Sequence, residues 1–181
     1  MVPIANGTEE IEAVCIIDTL RRGGVEVTVA SVEPQKLVVC SRKTKIEADH
    51  LLADVHQENF DVVVLPGGMP GAERLRDSEP LKKLLHRQAA EKRHYAAICA
   101  APAVVLEHHG LMQGHAGTAY PGHSAKLHDQ SKVEDRVVVS ENVITSRGPG
   151  TALEFSLKLI EVLVSRQKAE EVQKGMLVPS F

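Results

Sequence analysis

Along the chain, short contiguous apolar runs alternate with stretches whose apolar positions recur every three to four residues. Contiguous runs of four or five residues suit strands buried on both faces of a sheet, and the longer period suits helices that cover it. Met1 to Ile4 reads as the end of a strand, and Asn6-Gly7-Thr8 as a turn into a helix over about Glu9 to Arg22. Thr8 has the side chain of an N-cap, and Glu9 and Glu10 suit the positive helix start as solvated first-turn acids. Gly23-Gly24 ends that helix. Val25 to Val32 alternates and is β-branched, so it reads as a strand, and Leu37 to Glu47 as short strands around Ser41-Arg42. Asp61 to Leu65 is a continuous apolar run followed by a sharp loop, Pro66-Gly67-Gly68-Met69-Pro70-Gly71. A helix from about Pro80 to Glu91 follows, with Ser78 as its cap.

Tyr95 to Ile98 is a further buried strand that runs directly into Cys99, and then into a helix over Pro102 to Glu107. Ala116 to Tyr120 reads as a strand stopped by Pro121-Gly122. Val137-Val138-Val139 and Val143-Ile144-Thr145 flank Ser140-Glu141-Asn142 as a β-hairpin. After the loop Ser146 to Gly150, Thr151 caps a helix with Leu153, Leu157, Ile160 and Val164 on one face. Strands separated by helices predict a three-layer α/β sandwich in one domain over residues 1–181. Ligands in such folds bind beyond the carboxyl ends of the strands. Three loops there invite attention: those after Ile4 and Leu65, and the one holding Cys99. Only four residues, Met1 to Ile4, make up the strand before the Asn6 turn, short for a central parallel strand; a numbering that starts at an internal methionine and a truncated strand both fit.

Composition narrows the class. Tryptophan is absent and aromatics make up 3 % of the chain, so the core is built from Val, Ile, Leu and Ala. The net charge of −3 is made of interspersed signs with no basic block, which argues against nucleic acid as the main partner. No apolar run is long enough to span a bilayer. Thr8-Glu9-Glu10 interrupts any signal-peptide pattern, so a cytoplasmic protein is expected. The three cysteines, Cys15, Cys40 and Cys99, are irregularly spaced and read as reduced thiols rather than a disulfide framework. CxxC and HExxH do not occur, so neither metal nor cofactor is expected.

Candidate chemistry centres on Cys99. Its neighbours Ala97, Ile98, Ala100 and Ala101 are small, as a nucleophile on a crowded strand-to-helix turn requires. A following helix start would lower its pKa. A buried structural cysteine is the competing reading. Gly67-Gly68 lets backbone N–H groups approach a ligand, and with the Ala100 N–H would form an oxyanion hole; taken alone, the two glycines fit an ordinary tight turn better. Glu12, between apolar Ile11 and Ala13, either faces the pocket as a proton shuttle with a raised pKa or lies on the surface. The histidines after Cys99 include His108, His109, His115, His123 and His128, and none forms the His-x-Glu arrangement of a Cys-His amidotransferase.

Taken in order, Ala5-Asn6-Gly7-Thr8-Glu9-Glu10-Ile11-Glu12, Cys40-Ser41-Arg42, Val62 to Gly68, Ala96 to Pro102 and Thr145 to Thr151 resemble the ThiJ/PfpI superfamily, and specifically its DJ-1 branch. The resemblance covers essentially the whole chain. It implies a flavodoxin-like sandwich with a mainly parallel sheet, a nucleophile elbow and a homodimer. It carries a nucleophilic, oxidation-sensitive cysteine onto Cys99 and its partner carboxyl onto Glu12, with oxyanion contacts at Gly67, Gly68 and Ala100. Implied activities are a cofactor-independent glyoxalase III acting on methylglyoxal, a protein deglycase, and oxidative-stress protection. Tyr120 is a departure: some members have a histidine near the cysteine there, and a tyrosine is a hydrogen-bond donor but no base near neutral pH. Two other readings stand beside the enzyme. One is a redox sensor whose Cys99 oxidises to a sulfinic acid; the other is a catalytically silent binding module. Cys15 reads as a packed bystander, and Cys40 as an exposed secondary oxidation site.

Overall fold

The structure, a computed structural model, describes residues 1–179. Parallel strands β1 (Val2–Ile4), β2 (Val29–Ser31) and β5 (His50–Leu51) pair side by side in the order β1-β2-β5. Strands β6 (Val62–Leu65), β7 (His94–Ile98), β9 (Val143–Ser146) and β8 (Val137–Ser140) form the order β6-β7-β9-β8, with β8 antiparallel. Between β1 and β6 the ladder continues: Val64 N–H donates to Met1 O at 3.0 Å, and the Met1 nitrogen donates to Val62 O at 2.8 Å. The result is one mainly parallel sheet whose strand order reverses between β1 and β6. At such a reversal the loops leaving adjacent strands part to opposite faces and leave a crevice.

Helix α1 (Glu10–Arg22) and α6 (Ala152–Leu163) cover one face, with α7 (Arg166–Gly175) against α6. The other face carries α2 (Leu52–Val55), α3 (Gly71–Asp77), α4 (Glu79–Ala90) and a six-residue π-helical segment, Pro102–Glu107. The architecture is the expected flavodoxin-like α/β sandwich. All four residues of β6 are buried, as a strand covered on both faces requires. A separate ribbon, β3 (Leu37–Val39) with β4 (Lys45–Glu47), matches the strands expected around Ser41-Arg42. The last short helix, α5 (Pro121–Ser124), follows Tyr120. No helix among the described residues is long and apolar enough to cross a membrane.

Several expectations are corrected. Thr8 does not cap α1: its hydroxyl accepts from Ala5 N at 2.9 Å and closes the turn, while the Glu9 carboxylate caps the helix through Glu12 N at 2.8 Å. Glu10 is not a solvated acid. It is 8 % exposed and accepts from Ser41 Oγ and Arg42 N, both at 2.8 Å, so it pins the β3–β4 turn to α1. The strand expected over Val25–Val32 shrinks to Val29–Ser31. Ala116–Tyr120 is irregular because its donors leave the ladder: Thr118 N binds the Thr145 hydroxyl at 3.0 Å, and Tyr120 N binds Cys99 O at 2.8 Å. On α6 the buried set is Ala152, Phe155, Ser156, Leu157, Leu159 and Ile160, so Leu153 and Val164 are off the core face. Helices α2, α3 and α7 went unforeseen. The first two are short, and the third has a strongly polar sequence.

Candidate functional site

At the carboxyl end of β7 the chain turns sharply, and Cys99 takes a left-handed backbone conformation with φ = 65°. An L-residue there is strained by roughly 1–2 kcal/mol. Two backbone bonds hold it: Cys99 N donates to Ser146 O at 3.0 Å, and Tyr120 N donates to Cys99 O at 2.8 Å. The π-helical turn that follows begins at Pro102, which has no N–H to lose. Cys99 as a residue is 9 % exposed.

Glu12 is fully buried on the first turn of α1. Its Oε2 accepts from Gly67 N at 2.7 Å, and Oε1 is buried without a well-aligned partner. Gly67 therefore holds the carboxyl in place rather than donating into an oxyanion hole, which corrects that part of its expected role. Gly67 also lies against the cysteine: a Cβ on it would fall 2.6 Å from Cys99 Cβ. The loop after β1 and the loop after β6 interlock through glycine. Glu9 N donates to Gly67 O at 2.9 Å, Gly7 and Gly68 have φ of 86° and 90°, and a Cβ on Gly68 would fall 2.4 Å from Glu9 N. Only glycine fits both the left-handed conformation and this approach.

Burial pushes the Glu12 carboxyl up to about 7, against the Gly67 N–H and the Cys99 thiol, which favour its ionised form. Burial, then the Glu12 charge, pushes the Cys99 thiol up to about 12. The backbone N–H groups of Gly68 and Ala100 act on the sulfur in the opposite direction, but they do not win. The expectation of a helix-lowered thiol is thus corrected: desolvation and a neighbouring carboxylate outweigh the oriented amides. The directions of the two shifts leave the thiol the weaker acid of the pair, so Glu12 ionises before Cys99 does. This arrangement can pass the thiol proton to Glu12 as a bond forms at sulfur. It also offers two N–H groups to a charge developing beside it.

Residues 1–162 match the DJ-1/PfpI family. The chain belongs to the DJ-1/PfpI family. It is similar to the Protein DJ-1 homolog B of Arabidopsis thaliana, with 49 % identity over 178 residues, 98 % of this chain and 41 % of that protein. It thus spans less than half the length of that curated relative. It is 38 % identical over 171 residues to a protein of Caenorhabditis elegans named glutathione-independent glyoxalase DJR-1.2, covering 93 % of this chain and 89 % of that one. Among solved structures it is similar to Toxoplasma gondii DJ-1 in an oxidized form, with a TM-score of 0.97, 49 % identity and 99 % and 97 % of the two chains covered.

Within this family fold, Cys99, Glu12, Gly67, Gly68 and Ala100 come together. Tyr120, 47 % exposed as a residue, joins them through its backbone, while its ring lies beside Gly148. Cys40, expected to be exposed, is 2 % exposed, and burial pushes its thiol up to about 11. Sequence reasoning placed Ser146 and Arg147 in the loop that shares the family resemblance but gave neither a role; the Ser146 carbonyl anchors Cys99. Their position directly after a β-branched run, at a strand's carboxyl end, was the available signal.

Proposed function

We propose that this chain is a cofactor-independent cysteine enzyme of the glyoxalase III type that converts methylglyoxal and water to lactate. The observation that carries the reading is the buried Cys99–Glu12 pair, in which a carboxyl pushed up to about 7 sits beside a thiol flanked by the N–H groups of Gly68 and Ala100. A carboxyl of that pKa is suited to move protons in both directions near neutrality. The Caenorhabditis relative, named a glutathione-independent glyoxalase, supports the same substrate class.

The Cys99 thiol gives its proton to the Glu12 carboxylate as sulfur attacks the aldehyde carbon. The Gly68 and Ala100 amides take the oxyanion. Glu12 returns its proton to that oxygen, giving a neutral hemithioacetal. The ionised Glu12 then removes the hydrogen from the former aldehyde carbon and, through an enediol, delivers a proton to the adjacent carbon. The product is a lactoyl thioester of Cys99. Water cleaves it to lactate and restores the thiol. The aldehyde carbon is oxidised and its neighbour reduced, so no external oxidant enters. We further propose a homodimer, with Ile11 and Val14 of α1, 54 % and 50 % exposed, at the contact; sedimentation of Ile11→Asp tests it.

The deciding experiment is lactate formation from methylglyoxal without glutathione, for wild type, Cys99→Ser and Glu12→Gln. Lactate from wild type and loss in both variants is the expected result. A folded wild type that makes no lactate overturns the enzyme reading. A gain of two oxygens at Cys99 under mild peroxide would then favour the redox sensor.

A further inference from the structure

Beside Cys99 runs a groove of about 290 Å³ whose walls include Tyr120, Arg136, Arg147, Gly148 and Pro149. Its two sides spring from the two backbone partners of Cys99. Tyr120 donates to the Cys99 carbonyl, and Arg147 directly follows Ser146, whose carbonyl receives the Cys99 N–H. Both walls are thereby tied to the Cys99 backbone.

Arg147 is the group in that wall with unused bonding capacity. Its Nε is buried and has no hydrogen-bond partner. Its Nη2 lies 3.1 Å from a carboxylate oxygen of Glu134, and Nη1 reaches the Glu134 carbonyl at 3.4 Å. Glu134 is 81 % exposed at its side chain, against 24 % for Arg147. An ion pair with so exposed a member is weak. A guanidinium presents Nε and Nη2 as a fork matched to two oxygens of one anion, and a bidentate carboxylate there would satisfy the buried Nε. Arg136 adds a second cationic group to the groove while remaining tied to Glu154 and to the Gly150 carbonyl. The groove is thus cationic on one side and walled by an aromatic ring on the other.

We infer that this groove is a subsite for the anionic end of the substrate, with Arg147 as the recognising residue, so that the preferred substrates are α-oxoaldehydes bearing a carboxylate a few carbons from the aldehyde. This rests on the dicarbonyl reading of Cys99 and narrows its substrate class. Glu134 holds only the Nη2 arm of the Arg147 fork in the free protein and is displaced by the substrate, whose carboxylate takes Nε as well. A fitting probe is 4,5-dioxopentanoate, whose aldehyde reaches Cys99 while its carboxylate enters the groove. The reaction with one water gives 2-hydroxyglutarate and a proton. The aldehyde carbon rises to the acid level, the ketone carbon falls to the alcohol level, and no other reductant or oxidant takes part.

The test is the ratio of kcat/KM for 4,5-dioxopentanoate to that for methylglyoxal, in wild type, Arg147→Gln and Glu134→Gln. Arg147→Gln is expected to lower the ratio about tenfold, through KM for the carboxylate substrate. Added salt is expected to lower it in wild type. A ratio within about threefold of wild type in a folded Arg147→Gln overturns the subsite. Should Arg147→Gln fail to fold by circular dichroism, Glu134→Gln decides: a raised ratio supports the subsite and an unraised one overturns it. If wild type turns over neither dicarbonyl, the enzyme reading fails by itself, and the subsite is judged by glutarate. Slowed alkylation of Cys99 by iodoacetamide in the presence of glutarate, weakened in Arg147→Gln, supports it; no protection of wild type overturns it.

Discussion

Gly67 presses against Cys99 so closely that one methyl group on it would stand 2.6 Å from the cysteine Cβ and 2.9 Å from Glu12 Oε2. Neither neighbour can yield cheaply. Cys99 is held by backbone bonds on both sides, and Glu12 is anchored by the Gly67 N–H itself. Gly67→Ala is therefore expected to lower methylglyoxal turnover by about a hundredfold or more, since a misplacement on the order of 1 Å is enough for that. Gly175→Ala, whose added methyl meets nothing within 4 Å, serves as the comparison. Steady-state rates of the two folded variants check it.

The charge of Glu12 raises the Cys99 thiol's pKa, so removing that charge has opposite effects on two measurements. Glu12→Gln is expected to speed alkylation of Cys99 by iodoacetamide at neutral pH, because more of the thiol ionises. The same substitution is expected to lower lactate formation, on the order of a hundredfold, because the proton shuttle is gone. Slower alkylation in Glu12→Gln would contradict the assigned charge interaction.

A base whose pKa stands at about 7 sets the pH profile of the proposed reaction. The rate with methylglyoxal is expected to rise with pH through about 7 and then level as Glu12 becomes fully ionised. The inflection should be absent from the residual activity of Glu12→Gln.

Stability carries the same signature. The folded pKa of Glu12 lies above the ordinary carboxyl value, so the folded state holds its proton more tightly than the unfolded chain does. That contribution is fully present below the ordinary value of about 4.3 and is lost as pH rises through the folded value. Relative to Glu12→Gln, wild type is expected to lose on the order of 3 kcal/mol between pH ~4 and pH ~8. Urea unfolding of both proteins across that range measures the difference.

The fold was legible because its signals are local. The buried runs of β6 and β7, the hairpin of β8 and β9, and the Ser78 cap of α4 each follow from a few adjacent residues. The site was legible in part: Cys99 on its turn and Glu12 one turn into α1 were anticipated, and the two glycines were anticipated by type. What no window of sequence revealed was allocation. The Gly67 N–H goes to Glu12, Glu10 goes to the Ser41 turn, and the thiol's pKa moves up rather than down, because each depends on groups distant in the chain. The Glu134 carboxylate on Arg147 is close in sequence but crosses the β8–β9 hairpin, so only the folded register shows it.

The interlocked turns after β1 and β6 tie the two ends of the proposed proton path to opposite sides of the strand-order reversal. Glu12 arrives from the first βα unit, whereas Cys99 arrives from the β7 strand beyond β6. Neither half of the molecule holds a working pair by itself. The proposed turnover, rather than thiol reactivity itself, is thereby made conditional on completed folding: a nascent or partly unfolded chain exposes an ordinary cysteine that ionises more readily, and the thiol–carboxyl pair comes into being only when the whole sheet has closed.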